Sequence, residues 1–201
     1  MKIAIAQLNP IVGDIAGNSD LVEAAGRKAL DAGADLLVVP ELVISGYPPK
    51  DLLLRENFVS RCDRAVEHLA QLDVFQEIAA IIGHPTRRDL PNQSIANAAS
   101  LIEQGSIQST IHKTLLPNYD VFDEQRYFTP SRKIAPMNFR GRKLGVHICE
   151  DAWWGERTTK YHQNPALHPD PIFELATQGA ECFINLSASP FERDKRHQRL
   201  N

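Results

Sequence analysis

The first forty residues, MKIAIAQLNPIVGDIAGNSDLVEAAGRKALDAGADLLVVP (Met1–Pro40), decide the fold class. Residues 2–7 form a short run with β-branched Ile3 and Ile5, which suits a buried strand. Asn9-Pro10 and Gly13-Asp14 mark a loop. Asn18 or Ser19 can then cap a helix, with Asp20 and Glu23 near its positive end. Leu21, Ala25, Ala29 and Ala32 recur at helical spacing, and Gly33 closes the helix. A second buried strand over residues 36–39 stops at Pro40. A strand–helix–strand unit of this kind predicts a layered α/β fold.

Working outward, Glu41 follows that second strand directly, ahead of the loop Ser45-Gly-Tyr-Pro-Pro49. A carboxylate at the carboxyl end of a strand is well placed for chemistry, although a lone surface glutamate is commoner. Phe58, Cys62, Ala65, Leu69 and Leu72 keep helical spacing, which puts Cys62 in the core. A strand over 78–83 and a hairpin of 95–103 with 106–112 around Gln104-Gly105 lead to Lys113. The segment 115–128 is a loop rich in Pro, Asn and Asp that also carries aromatics, and loops of that length usually have work to do. A second hairpin around Gly141 feeds Lys143-Leu-Gly-Val-His-Ile-Cys149-Glu-Asp-Ala-Trp-Trp154, where a buried strand turns abruptly polar. Cys149 thus sits at the mouth of a sheet, where open α/β folds put their sites. Taken alone it fits a core position at least as well, since free cysteine is among the most buried residues. Asp170-Pro171 starts a helix that Gly179 ends, residues 182–186 form a strand with Cys182 in the core, and Ser187-Ala-Ser-Pro190 breaks it. A further helix begins at Phe191, and residues 155–169, with His162 and His168, carry no functional signal.

Composition narrows the classes. The 201 residues suffice for one domain, 1–201, with a real core. Lys and Arg number 22 against 25 Asp and Glu, so a nucleic-acid partner has no support. The basic run 193–199 reads as a solvated helix face. Three widely spaced cysteines make no disulfide framework, and no Cys-x-x-Cys or His-x-x-x-His pattern offers a metal site. With no signal peptide and no apolar run long enough to span a bilayer, a soluble cytoplasmic protein without a membrane partner is expected.

Glu41, Lys113 and Cys149 each end a predicted strand, and strands sharing an edge direction would make them converge. A lysine cation lowers a thiol's pKa and a carboxylate can take its proton. The thiolate attacks an amide carbonyl, Lys113 stabilises the oxyanion, and Glu41 protonates the departing ammonia and then activates water. Histidine is not required. His147, two residues from Cys149, reads as a packing residue.

These residues carry a resemblance. Met1-Lys-Ile-Ala-Ile-Ala-Gln-Leu-Asn-Pro10, Pro40-Glu41, Lys113 and Cys149-Glu150 resemble the nitrilase (carbon–nitrogen hydrolase) superfamily, whose triad is Glu-Lys-Cys and whose fold is an α-β-β-α sandwich of two sheets. Four longer strings, 40–54, 113–128, 149–153 and 185–191, resemble the glutaminase domain of glutamine-dependent NAD synthetases. That resemblance implies Glu41 as general base, Lys113 as oxyanion stabiliser and Cys149 as nucleophile. It implies Tyr119, Ser189 and Lys195 as contacts for L-glutamine, Glu124 as a second carboxylate orienting the lysine, and Trp153 either beside the pocket or, at least as readily, in packing. A cationic Lys195 suits the substrate α-carboxylate. The family implies no cofactor or metal in this part, and commonly a homo-oligomer. Its Ser-Gly-Gly-x-Asp-Ser phosphate loop, which with ATP and magnesium activates deamido-NAD for attack by ammonia in a following synthetase domain, is absent here. The resemblance therefore implies an incomplete sandwich, truncated at the C-terminus, that makes ammonia for NAD biosynthesis within a longer ligase. Two rival readings are a stand-alone nitrilase-type amidase or carbamoylase on another small amide, and a degenerate domain kept for assembly or regulation.

Overall fold

The computed structural model describes residues 1–88, 90–156, 159 and 161–189. Lys195, the basic run 193–199 and the helix expected from Phe191 lie outside the described residues. Two sheets face each other. The first holds β1 (Ile3–Ile5), β2 (Leu36–Val38), β3 (Ala79–Thr86), β4 (Ala96–Glu103) and β5 (Ser106–His112), in that spatial order. Its first three strands are parallel and the last two antiparallel to their neighbours. The second holds β6 (Met137–Phe139), β7 (Arg142–Ile148) and β8 (Cys182–Leu186), with β6 antiparallel and β8 parallel to β7. Helices α1 (Ile15–Asp31), α2 (Phe58–Gln71) and α3 (Val74–Glu77) cover the outer face of the first sheet, and α4 (Pro171–Thr177) lies against β7. The layering is the expected α-β-β-α sandwich.

Strand alternation explains the layers. On β2 and β3, Leu37, Ala80 and Ile82 face the helices and pack with Val22, Val66 and Phe75. Leu36, Val38, Ala79 and Ile81 face the other sheet and meet Val146, Ile148, Ile184 and Leu186. With both faces covered, β2 is buried at every residue, and continuous apolar runs suit such strands. Each aliphatic side chain so buried contributes about 1.5–3 kcal/mol relative to an exposed one. Among the described residues no helix is long and apolar enough to cross a membrane.

Three local readings are corrected. The α1 cap is Asp14, not Asn18 or Ser19: its carboxylate accepts from Gly17 N at 3.0 Å. Asn18 sits inside the helix and is buried because it clamps two loops, donating to the carbonyls of Ile11 (2.8 Å) and Ile44 (3.1 Å). The buried face of α1 is Ile15, Val22, Gly26 and Ala29, which leaves Leu21 exposed. Gly26 sets this rotation, since a Cβ there would lie 2.9 Å from the Phe75 ring. Strand β1 is shorter than residues 2–7 and only half-buried, because it pairs on one side alone. Cys62 is fully buried as expected, whereas Cys182 is half-buried at the border of the inter-sheet core.

The sheet order places the ends that matter. Strands β2 and β5 point the same way, separated by β3 and β4. Beyond β2 the chain crosses directly over β3 at Gly83, and Ile44 N donates to Gly83 O at 3.3 Å. A Cβ on Gly83 would lie 2.4 Å from Pro40 O and 2.6 Å from Leu42 N, both backbone atoms. Gly83 thus lets the residues around Glu41 lie flat across the sheet toward β4 and β5. Gly83→Ala is expected to lower unfolding free energy by about 1–3 kcal/mol, the usual range for overpacking. A urea titration that left the midpoint unchanged would show that the crossover is not tight.

Candidate active site

Glu41 reaches over β3 and is 1% exposed. Its Oε1 accepts from Asn97 Nδ2 and from Lys113 Nζ, each at 2.8 Å, and its Oε2 accepts from Ala188 N at 3.0 Å. Asn97 is a buried asparagine on β4, and its amide gives the carboxylate a neutral donor. Lys113, also 1% exposed, follows β5 and lies between two carboxylates. Its Nζ donates to Glu41 Oε1 and to both oxygens of Glu124, all at 2.8 Å. Glu124 stands in a short 3₁₀ turn (Glu124–Arg126) within the 115–128 loop, and the Tyr47 hydroxyl donates to its Oε1 at 2.9 Å.

Cys149 follows β7 and opens a 3₁₀ turn (Cys149–Ala152) in a left-handed conformation, φ 45°. Such a conformation costs a non-glycine residue about 1–3 kcal/mol and persists only where the surroundings impose it. Asp151 supplies that constraint. Its Oδ2 accepts from Ile148 N at 3.0 Å, and its Oδ1 accepts from Thr114 N (3.0 Å) and Leu115 N (2.8 Å). One carboxylate thus ties the cysteine turn of the second sheet to the lysine end of the first. Asn185, on β8, donates to the Cys149 carbonyl at 3.3 Å, and the Ser187 hydroxyl donates to Cys149 Sγ at 3.4 Å.

The electrostatics follow from burial. Desolvation would lower the Lys113 pKa, but Glu41 and Glu124, then Cys149, override it and hold the ammonium well above its usual value. One ammonium cannot neutralise two buried carboxylates. Burial, opposed by Lys113 and reinforced by Glu41, pushes Glu124 up to about 7. Burial and then the Glu41 charge push the Cys149 thiol up to about 12 against the pull of Lys113 and Ser187, so the resting group is a thiol. Burial raises Asp151 to about 6 against its backbone donors.

The structure brings Glu41, Lys113, Glu124 and Cys149 into one cluster. Tyr119 stands nearby, its hydroxyl donating to Glu150 at 3.0 and 3.1 Å. Ser189 is half-buried on the segment that carries Ser187 and Ala188. The Trp153 backbone carbonyl accepts from Thr159 Oγ1, and His147 bonds the Gly145 carbonyl and packs against Phe183. Sequence reading missed Asn97, Tyr47, Ser187, the Ala188 amide and Tyr161, whose hydroxyl donates to Glu150 at 3.2 Å. Tyr161 thus stands beside the cluster. Only Asn97 left a signal, a polar residue inside the apolar run Ile95-Ala-Asn-Ala-Ala99.

Because the folded value of Glu124 lies above its ordinary 4.5, the native state favours its protonated form. The stability this brings is complete below about pH 4.5 and is lost as pH rises through about 7. The urea midpoint should therefore fall between about pH 5 and pH 8, with Asp151 adding to the fall. In Glu124→Gln the fall should be shallower; identical slopes in the two proteins would contradict the account.

Residues 2–197 match the carbon-nitrogen hydrolase family. The chain is 41% identical, over 98% of its length, to a glutamine-dependent NAD(+) synthetase of Synechocystis sp., and covers 35% of that protein. It is 36% identical, over 97% of its length, to the same-named protein of Thermotoga maritima, and covers 31% of it. The chain thus spans about a third of the length of these curated relatives. Among solved structures it resembles a glutamine-dependent NAD+ synthetase from Acinetobacter baumannii in complex with ADP (TM-score 0.83, 30% identity), with 98% of this chain and 34% of that one covered. An amidase from Nesterenkonia sp. shares the fold (TM-score 0.78, 22% identity), with 98% and 68% covered. Matched along nearly its whole length, the chain belongs to the carbon-nitrogen hydrolase family.

Proposed function

We propose that this chain is the glutamine-hydrolysing, ammonia-releasing part of a glutamine-dependent NAD synthetase. The observation that carries the chemistry is Lys113 Nζ, 2.8 Å from both Glu41 and Glu124 and close to Cys149 in the interior. Glu41 Oε1 already accepts two donors, while Oε2 accepts one. Oε2 therefore keeps a lone pair for the thiol proton. As the S–H bond breaks, the sulfur adds to the amide carbon, and the Lys113 ammonium offers charge stabilisation to the oxyanion. Removing one such donor typically costs about 3 kcal/mol of barrier. Glu41 then passes its proton to the amide nitrogen, the C–N bond breaks and ammonia leaves a thioester. Glu41 next takes a proton from water, hydroxide attacks the thioester, and glutamate departs as the thiol is restored.

Two further observations support an amino-acid amide as substrate. Glu150 is 3% exposed and beside the nucleophile, and its oxygens accept from Tyr119 and Tyr161. Burial raises its pKa, which those hydroxyls oppose. A carboxylate so placed suits a substrate ammonium group. Ser189 and Lys195 remain, in this reading, contacts for the rest of glutamine. The ammonia would serve ATP- and magnesium-dependent amidation of deamido-NAD by a domain outside these residues, in a homo-oligomer. The unpaired cysteines Cys62, Cys149 and Cys182 suit the cytoplasm.

Ammonia release from glutamine, propionamide and an N-carbamoyl amino acid should be compared in the intact protein. Glutamine should be hydrolysed with the largest kcat/KM, and Cys149→Ala should reduce that rate at least about a thousandfold, as loss of a covalent nucleophile does. Preference for the plain amide would favour a free-standing amidase. Glutamine hydrolysis undiminished in Cys149→Ala would end the mechanism.

A further inference from the structure

The end of β8 and the residues after it touch the reactive groups at three points in four residues. Asn185 Nδ2 holds the Cys149 carbonyl, Ser187 Oγ lies 3.4 Å from Cys149 Sγ, and Ala188 N lies 3.0 Å from Glu41 Oε2. Alternation along the strand explains the spacing. Ile184 and Leu186 enter the inter-sheet core, so Asn185 points the other way, and Ser187 follows as the strand ends. Cys149 lies parallel to this segment because β7 and β8 pair in register up to Ile148 and Leu186. Cys149 and Ser187 are the next residues of each strand, and they meet as neighbours.

We propose that Ser187 is a positioning residue for the nucleophile, its hydroxyl donating to Cys149 Sγ so that the thiol proton is directed to Glu41. The inference rests on the amide-hydrolysis reading. When Ser187 donates to sulfur, the S–H bond is left to point elsewhere, and the carboxylate oxygen fixed by the next residue's amide is the acceptor at hand. As the S–H proton moves to Glu41 Oε2, the sulfur gains negative charge. The Ser187 O–H keeps its own proton and its bond to sulfur becomes charge-assisted, which makes it stronger. The segment thus sets nucleophile and base from one backbone turn. The other groups facing the sulfur are Glu41 and Glu124, which oppose the thiolate, and Lys113, which favours it. Tyr119 and the adjacent Glu150 complete the surroundings.

The test is the pH dependence of Cys149 alkylation by iodoacetamide in the intact protein, with the modified peptide read by mass spectrometry to separate it from Cys62 and Cys182. In Ser187→Ala the rate-against-pH curve should move up by about half to one pH unit, the loss of one hydrogen bond to a forming charge. At neutral pH this is a rate about three- to tenfold lower, with kcat for the amide falling similarly and KM unchanged. Ser187→Gly, which also lacks the hydroxyl, should behave the same if the alanine protein folds poorly. Ser187→Thr, which keeps it, should stay near wild type. Superimposed curves for wild type, alanine and glycine proteins would overturn the inference, as would a change confined to KM. A displaced curve in a protein that hydrolyses no amide would keep Ser187 in its place and remove the glutaminase reading instead.

Discussion

A lysine ammonium with 1% exposure between two carboxylates is the constraint that organises the sandwich. Removing one partner of a buried ion pair typically costs about 3–5 kcal/mol, because the other charge is left in the interior alone. Glu41 must therefore be brought across the sheet to Lys113, and Glu124 must be folded down from its loop. The first demand explains Gly83, over which residues 40–42 pass with no room for a side chain. The second explains why the loop of Glu124 packs Phe122 against Tyr47 of the 45–49 loop, with the Tyr47 hydroxyl against Glu124. Structure far from the lysine is arranged to keep its charge matched.

Cys149 shows the other side of that arrangement. Burial, and then the Glu41 charge, make the surroundings of Cys149 unfriendly to a resting thiolate, and its pKa is pushed up accordingly. A free thiolate would be open to oxidation and to stray electrophiles. On the proposed mechanism, the thiol ionises only as its proton passes to Glu41, when a substrate carbonyl is in place. On the proposed mechanism, the carboxylate that adds to burial in raising the thiol's pKa is also the one that activates it.

Most of the fold was legible because its strands alternate or run apolar, and because turns such as Gln104-Gly105 and Arg140-Gly141, with positive φ at both residues, leave a clear mark. The placement of Glu41, Lys113 and Cys149 was legible for a related reason: each is a charged or reactive residue close after the end of a strand. What escaped was set by tertiary contact. The α1 face could not be read without knowing that Phe75 would claim the space at Gly26. Asn18 resembles a cap in sequence, and only the positions of Ile11 and Ile44 reveal a clamp. Tyr161 lies in a segment with no periodicity, and Ser187 in a break between elements. Their meaning depends on which strands pair in parallel, and that is not a local property.

Asp151 has a consequence for how the protein breathes. The amides of Thr114 and Leu115 follow the last strand of the first sheet and that of Ile148 ends β7 of the second, yet all three donate to one carboxylate. Buried amides exchange their hydrogens with solvent only through openings that release the bond. These three should then share a single opening event and exchange at matched rates in heavy water, although their sheets are otherwise held by separate ladders. Three unrelated rates would mean that the two sheets come apart piecemeal at the site, with the cysteine turn free to loosen while the lysine stays fixed.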